Sequence, residues 1–101
     1  VLGMRKICER DGSVDYGTAQ PVFSLETPTD GNPASVGNGV HIAFAADIRA
    51  QVDAFHRVAL ANGGSDAGPS GLRPEYDANY YGAFVRDPDG NKIEAVTFQA
   101  E

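Results

Sequence analysis

His41 and Glu94 are the two residues of this chain whose types and settings could do chemistry together. Imidazole and carboxylate are the usual ligands of Fe(II), Mn(II), Ni(II) and Zn(II). A histidine on one strand and a carboxylate on another, both facing inward, suits such an ion. Two ligands alone hold a metal poorly. The facial set of two histidines and one carboxylate leaves positions open for a substrate, and it needs one more imidazole. The second histidine, His56, sits among Ala54, Phe55 and Arg57 on a predicted helix and reads as a surface or boundary residue. The bland account of His41 is a half-buried strand histidine bonded to a neighbour, and that of Glu94 is an exposed strand carboxylate beside Lys92. An unpaired buried carboxylate is costly. An inward Glu94 therefore requires a metal, a histidine or a raised pKa.

The elements that position this pair lie between residues 39 and 99. Val40 to Ala46 alternates with period two, so Val40, Ile42 and Phe44 share one face and His41, Ala43 and Ala45 the other. Asp47 offers a side-chain oxygen to the free donors of a helix start. Ile48, Val52, Phe55 and Ala59 follow at helical spacing, and Arg49 and Asp53 can pair on the exposed side. Gly63-Gly64 stops the helix. Residues 65 to 79 are loop-like, with room for a short strand near Asp66 to Pro69. Tyr80 to Arg86 is rich in strand formers, Asp87-Pro88-Asp89-Gly90-Asn91 is a strong turn, and Lys92 to Phe98 returns as an antiparallel partner. Pairing about Asp89 places Glu94 opposite Phe84, Val96 opposite Gly82 and Phe98 opposite Tyr80.

Upstream, residues 4–9, 14–16 and 21–26 read as three strands, with Asp11-Gly12-Ser13 as a turn. Residues 27–39 are dense in Thr, Pro, Asp, Gly, Asn and Ser, a loop separating two halves. The 101-residue length fits one small domain, and the 42% hydrophobic, 22% charged composition is that of an ordinary globular protein. The net charge of −6 argues against nucleic acid and anionic membrane as partners. The single cysteine, Cys8, cannot close an internal disulfide, which points to a reduced, cytoplasmic setting. No P-loop, G-x-S-x-G or cysteine cluster is present.

The stretch Asn38-Gly39-Val40-His41-Ile42-Ala43-Phe44, the helix end Ala61-Asn62-Gly63-Gly64, and Phe84-Val85-Arg86-Asp87-Pro88-Asp89-Gly90-Asn91-Lys92-Ile93-Glu94 together resemble the vicinal oxygen chelate superfamily. This is the group of glyoxalase I, bleomycin-resistance proteins and extradiol dioxygenases. Residues 66–84 resemble a glyoxalase-like branch of it. The resemblance implies an α+β fold in which paired βαβββ modules form a cupped sheet around a metal. Residues 1–30 then make a partial first module, 31–38 a linker loop and 39–101 the second module. The first strand and helix of module one are missing by this comparison, and Val1-Leu2-Gly3 matches the end of that helix.

By the same resemblance His41 and Glu94 match metal ligands, and Glu94 is also the candidate catalytic base. Arg73, Tyr76, Tyr80 and Phe84 are candidate substrate contacts, with Gly82 leaving room. Glyoxalase I takes a Glu from the strand spanning residues 22–26; Phe23 falls nearest here and Glu26 is out of register, so Phe23 implies a more apolar pocket. The implied function is that of a divalent-metal-dependent lyase, isomerase or dioxygenase acting on a small oxygenated molecule, with Fe, Mn, Ni or Zn as the metal. The alternative is a metal-free small-molecule or drug-binding protein. A homodimer is expected, because family members commonly pair and a half-built module leaves strand edges exposed.

Overall fold

The computed structural model describes residues 1–100. These divide into two compact units: Gly3–Ser35 is one, and Val1–Leu2 joins the residues from Val36 onward in the other.

The smaller unit is a three-stranded antiparallel meander of β1 (Arg5–Arg10), β2 (Ser13–Gly17) and β3 (Pro21–Glu26), in that order. Asp11-Gly12 makes the first turn, with Gly12 at φ 83°, the positive angle a two-residue hairpin loop demands. Asp15 is buried on the middle strand, and its carboxylate accepts hydrogen bonds from Arg10 Nη2 (3.1 Å) and Ser24 Oγ (2.7 Å). A buried charge is tolerated when paired in this way. Cys8 lies half-buried on β1 as a free thiol.

The larger unit runs β4 (His41–Ala45), α1 (Arg49–Ala61), β5 (Ser65–Leu72), β6 (Tyr81–Arg86) and β7 (Lys92–Thr97). Its sheet has the order β4-β7-β6-β5, with β4 parallel to β7 and the other pairs antiparallel. Together the two units are the α+β arrangement expected: three strands in one, and a strand and helix prefixed to three strands in the other.

The β6–β7 hairpin has the symmetric register, with Phe84 opposite Glu94 and Gly82 opposite Val96. The rings of Tyr80 and Phe98 meet edge to face at 5.3 Å. The turn closes as its residues require. Asp87 Oδ1 accepts from the Asn91 amide (2.8 Å), Gly90 N–H donates to the Asp87 carbonyl (2.9 Å), and Gly90 sits at φ 97°. Asn91 Oδ1 in turn accepts from Gly37 N–H at 2.7 Å, tying the turn to the segment that leads into β4.

One face of this sheet carries Tyr81, Ala83, Val85, Ile93, Ala95 and Thr97 toward α1, against which Val52 is fully buried. Burying one such side chain stabilises a fold by about 1.5–3 kcal/mol. The opposite face carries His41, Ala43, Gly82, Phe84, Lys92 and Glu94.

Three local expectations are corrected. Asp47 does not cap α1: the cap position is Ile48, 54% exposed and without a capping side-chain bond, and Gln51 Oε1 instead accepts the Asp47 N–H at 2.6 Å. The glutamine reaches back from the first turn to the residue before the cap, and so satisfies a backbone donor just outside the helix. Arg49 and Asp53 form no ion pair among the described residues. Both turn to Tyr81, Arg49 stacking over its ring at 5.0 Å and Asp53 accepting its hydroxyl at 2.6 Å. The third correction is β5. It is eight residues long despite its loop-like composition, because pairing with β6 accommodates Gly68 and Gly71 at register shifts.

Candidate active site

β4 and β7 run parallel, with His41 opposite Lys92 and Ala43 opposite Glu94. His41 therefore lies one pleat diagonally from Glu94 on the same face, and the small Ala43 leaves the space between them open. His41 Nε2 stands 2.9 Å from Glu94 Oε1. Glu94 is 2% exposed, and its other oxygen, Oε2, accepts the hydroxyl of Tyr80. Burial raises its pKa above the ordinary carboxylate value, opposed by His41 and by the positive charge of Arg73. Desolvation prevails because the carboxylate has left water almost completely.

Gly82 makes this geometry possible. A β-carbon there would lie 2.9 Å from Tyr80 Cε1 and 3.2 Å from Glu94 Oε2. The absence of a side chain lets the tyrosine hydroxyl reach the buried acid.

Above this pair is an open cavity of about 460 Å³ lined by His41, Tyr76, Tyr80, Phe84 and Lys92. The turn after β5 gathers its far wall. Arg73 N–H donates to the Tyr80 carbonyl (2.8 Å) and Tyr76 N–H to the Arg73 carbonyl (3.0 Å). The Tyr76 and Tyr80 rings meet at 5.0 Å. Arg73 lies over the Phe84 ring at 5.5 Å, and His41 stands 5.8 Å from the same ring. A larger, more open depression of about 730 Å³ occurs on the three-stranded unit, lined in part by Glu9, Arg10 and Asn32. It has no histidine and no buried acid along it, so the His41 cavity is the chemically equipped one.

The structure thus brings His41, Glu94, Tyr80, Phe84, Arg73 and Tyr76 to one place. Phe23 lies half-buried on β3 of the other unit, opposite Tyr16, and Glu26 is exposed at the end of that strand. His56 is bonded to Asp66 Oδ1 at 3.0 Å on the helix side. Lys92 was not among the expected contacts, yet its Nζ sits 4.9 Å over Phe84. The signal was available: two residues before Glu94 on one strand means the same face.

The His41–Glu94 spacing fits a divalent ion. Two ligand atoms each about 2.1 Å from an octahedral ion stand about 3 Å apart when adjacent. Nitrogen and carboxylate oxygen are the donors such ions take, and Tyr80 on the second carboxylate oxygen would orient the ligand. The pair supplies two donors. Among the described residues no group of three or more His, Cys, Asp and Glu side chains gathers to hold an ion.

Residues 1–95 match the family model described as the Glyoxalase/Bleomycin resistance protein/Dioxygenase superfamily. The chain belongs to this superfamily. Among solved structures, a glyoxalase/bleomycin resistance protein from Albidiferax ferrireducens T118 is 39% identical. The match has a TM-score of 0.81 and covers 95% of this chain and 77% of that one. A glyoxalase-related enzyme from Fulvimarina pelagi, at 18% identity and TM-score 0.70, shares the fold over 94% of this chain and 70% of its own. So does a hypothetical protein from S. aureus, at 18% identity and TM-score 0.70, over 95% and 77%. No curated protein matches. Among the described residues of this superfamily member, no helix is long and apolar enough to cross a membrane.

Proposed function

We propose that this superfamily member is a divalent-metal-dependent lyase, isomerase or dioxygenase for a small oxygenated molecule, with His41 and Glu94 as metal ligands. The observation that carries the reading is the placement of Glu94: a nearly fully buried carboxylate, 2.9 Å from an imidazole, beneath an aromatic-lined cavity. A carboxylate is costly to bury without a compensating charge, and a bound cation supplies one. When bound, the ion contributes Lewis-acid stabilisation of charge developing on substrate oxygen.

The chain's own residues do the rest. His41 and Tyr80 fix the two carboxylate oxygens of Glu94. Phe84 and Tyr76 give the cavity aromatic walls. Glu94 can take up a substrate proton on Oε2 when the Tyr80 hydroxyl rotates away from it. The homodimer expected from the family belongs to the same proposal, and sedimentation velocity tests it.

One observation favours a second reading, a metal-free binding protein of the drug-sequestering kind. Both oxygens of Glu94 already have protein partners, and two donors are fewer than a tight site uses. Cobalt(II) titration followed by visible absorption separates the two. Saturable d–d bands that disappear in His41→Ala support the metal-dependent reading. Absence of any such binding, with a folded chain, supports the second.

A further inference from the structure

His41, Lys92 and Arg86 are direct cross-strand partners on three adjacent strands, so they form one row across the open face of the sheet. Like charges set opposite one another destabilise a sheet. The chain as a whole is acidic, at −6, yet neither Lys92 nor Arg86 is in an ion pair among the described residues. Lys92 instead spends its charge over the Phe84 ring at 4.9 Å, and Arg73 approaches the same ring at 5.5 Å.

The seat of Arg73 is built for it. A β-carbon at Gly68 would lie 3.3 Å from its Nη2 and one at Gly71 3.2 Å from its Nη1. The two glycines leave a slot in β5 that the guanidinium fills. Nη2 is anchored on the Pro69 carbonyl at 2.6 Å, and among the described residues the other donors of the fork have no hydrogen-bond partner. The buried carboxylate behind His41 and Tyr80, Glu94, is already engaged by both.

We infer that the cavity takes a small carboxylate whose charged group is held by Lys92 on its lining and Arg73 beside it, the two cations that cover Phe84, and whose flat apolar body lies against the Tyr76–Tyr80 pair. The inference deepens the functional reading above, since it names the substrate class of the same cavity. It does not require the metal: the two cations are fixed by the chain's own packing. A carboxylate suits them better than a neutral oxygenated ligand, because it adds a full opposite charge and two acceptor oxygens that match a guanidinium fork.

The test uses the full chain, stripped of metal with a chelator, and two probes of equal shape, benzoate and benzamide. Titration calorimetry is expected to show benzoate binding about tenfold tighter or more, the difference a charged hydrogen bond makes. Lys92→Met and Arg73→Met, which retain an apolar stem over Phe84, are each expected to reduce that preference to about threefold or less. Equal binding of the two probes, no saturable benzoate binding, or a preference unchanged in both variants overturns the inference. Cobalt(II) titration of the native chain keeps the two readings apart. Equal binding of benzoate and benzamide by a native chain that binds cobalt counts against this inference alone. A preference without cobalt binding supports this inference and counts against the metal site alone.

Discussion

His41 and Glu94 meet at 2.9 Å although neither is the other's partner in the β4–β7 ladder; Glu94 is registered with Ala43 and His41 with Lys92. The contact crosses one pleat diagonally, over a residue too small to block it. This makes the pair sensitive to the strand register and to every group that fixes the Glu94 carboxylate.

The first consequence concerns stability. A buried carboxylate without a bound cation weighs against folding. Glu94→Gln keeps the shape and an oxygen for the Tyr80 hydroxyl while removing the charge. The metal-free variant is expected to unfold at higher denaturant concentration than the native chain, by on the order of 1 kcal/mol. Added cobalt should stabilise the native chain and leave the variant unmoved. Urea melts of both proteins, with and without metal, check this.

Gly82 and Tyr80 should behave as one unit. Gly82→Ala sets a β-carbon 2.9 Å from the tyrosine ring and 3.2 Å from Glu94 Oε2. An alanine in a strand normally gains about 0.5–1 kcal/mol over glycine. Here that gain should be reversed to a net loss of about 1 kcal/mol in the native background and restored in a Tyr80→Ala background. The coupling in this double-mutant cycle is the quantity to measure. Additive effects would mean the ring does not lie where the hydrogen bond to Glu94 puts it.

The sheet face under α1 offers a pH prediction. The Tyr81 hydroxyl, and then Ser70, lower the Asp53 pKa. The stability this contributes is present above the ordinary aspartate value and is lost as pH falls through the lowered one. Tyr81→Phe keeps the ring under Arg49 but removes the donor. It should cost less than about 1 kcal/mol near neutral pH, because Asp53 is exposed and screened. The cost should shrink as pH falls from the ordinary aspartate value through the lowered one. Carboxyl-carbon NMR titration of Asp53 should show its pKa rising in the variant.

Asn91 links the hairpin turn to the approach to β4, accepting from Gly37 N–H at 2.7 Å and donating to Asp87 Oδ2 at 3.0 Å. Asn91→Ala is expected to destabilise the chain by about 1–3 kcal/mol, since it strands the half-buried Gly37 amide. Hydrogen exchange at Gly37 should accelerate with it.

How much of this was legible in the sequence depended on how local each cause is. The hairpin register followed from its turn, where Pro88, Gly90 and Asn91 each have one structural use. The helix was legible from its apolar stripe, but its start was not: Asp47 and Ile48 differ by one position, and Gln51 decided between them from a turn away. β5 was hidden because Ala67-Gly68-Pro69-Ser70-Gly71 has the composition of a loop, and only its pairing with β6 makes it a strand. The Tyr80–Glu94 bond was hidden for a related reason. It depends on the space above Gly82, which residue types describe only as a missing side chain.

The central claim is that His41 and Glu94 form a metal-binding edge. Its most direct test is metal-dependent fluorescence or calorimetric titration of the purified full chain with Mn(II), Co(II), Ni(II) and Zn(II), repeated on His41→Ala and Glu94→Ala. Saturable binding of at least one ion, weakened about tenfold or more by either substitution, is the result expected. Binding unchanged in both variants, or no binding by a folded native chain, would contradict it.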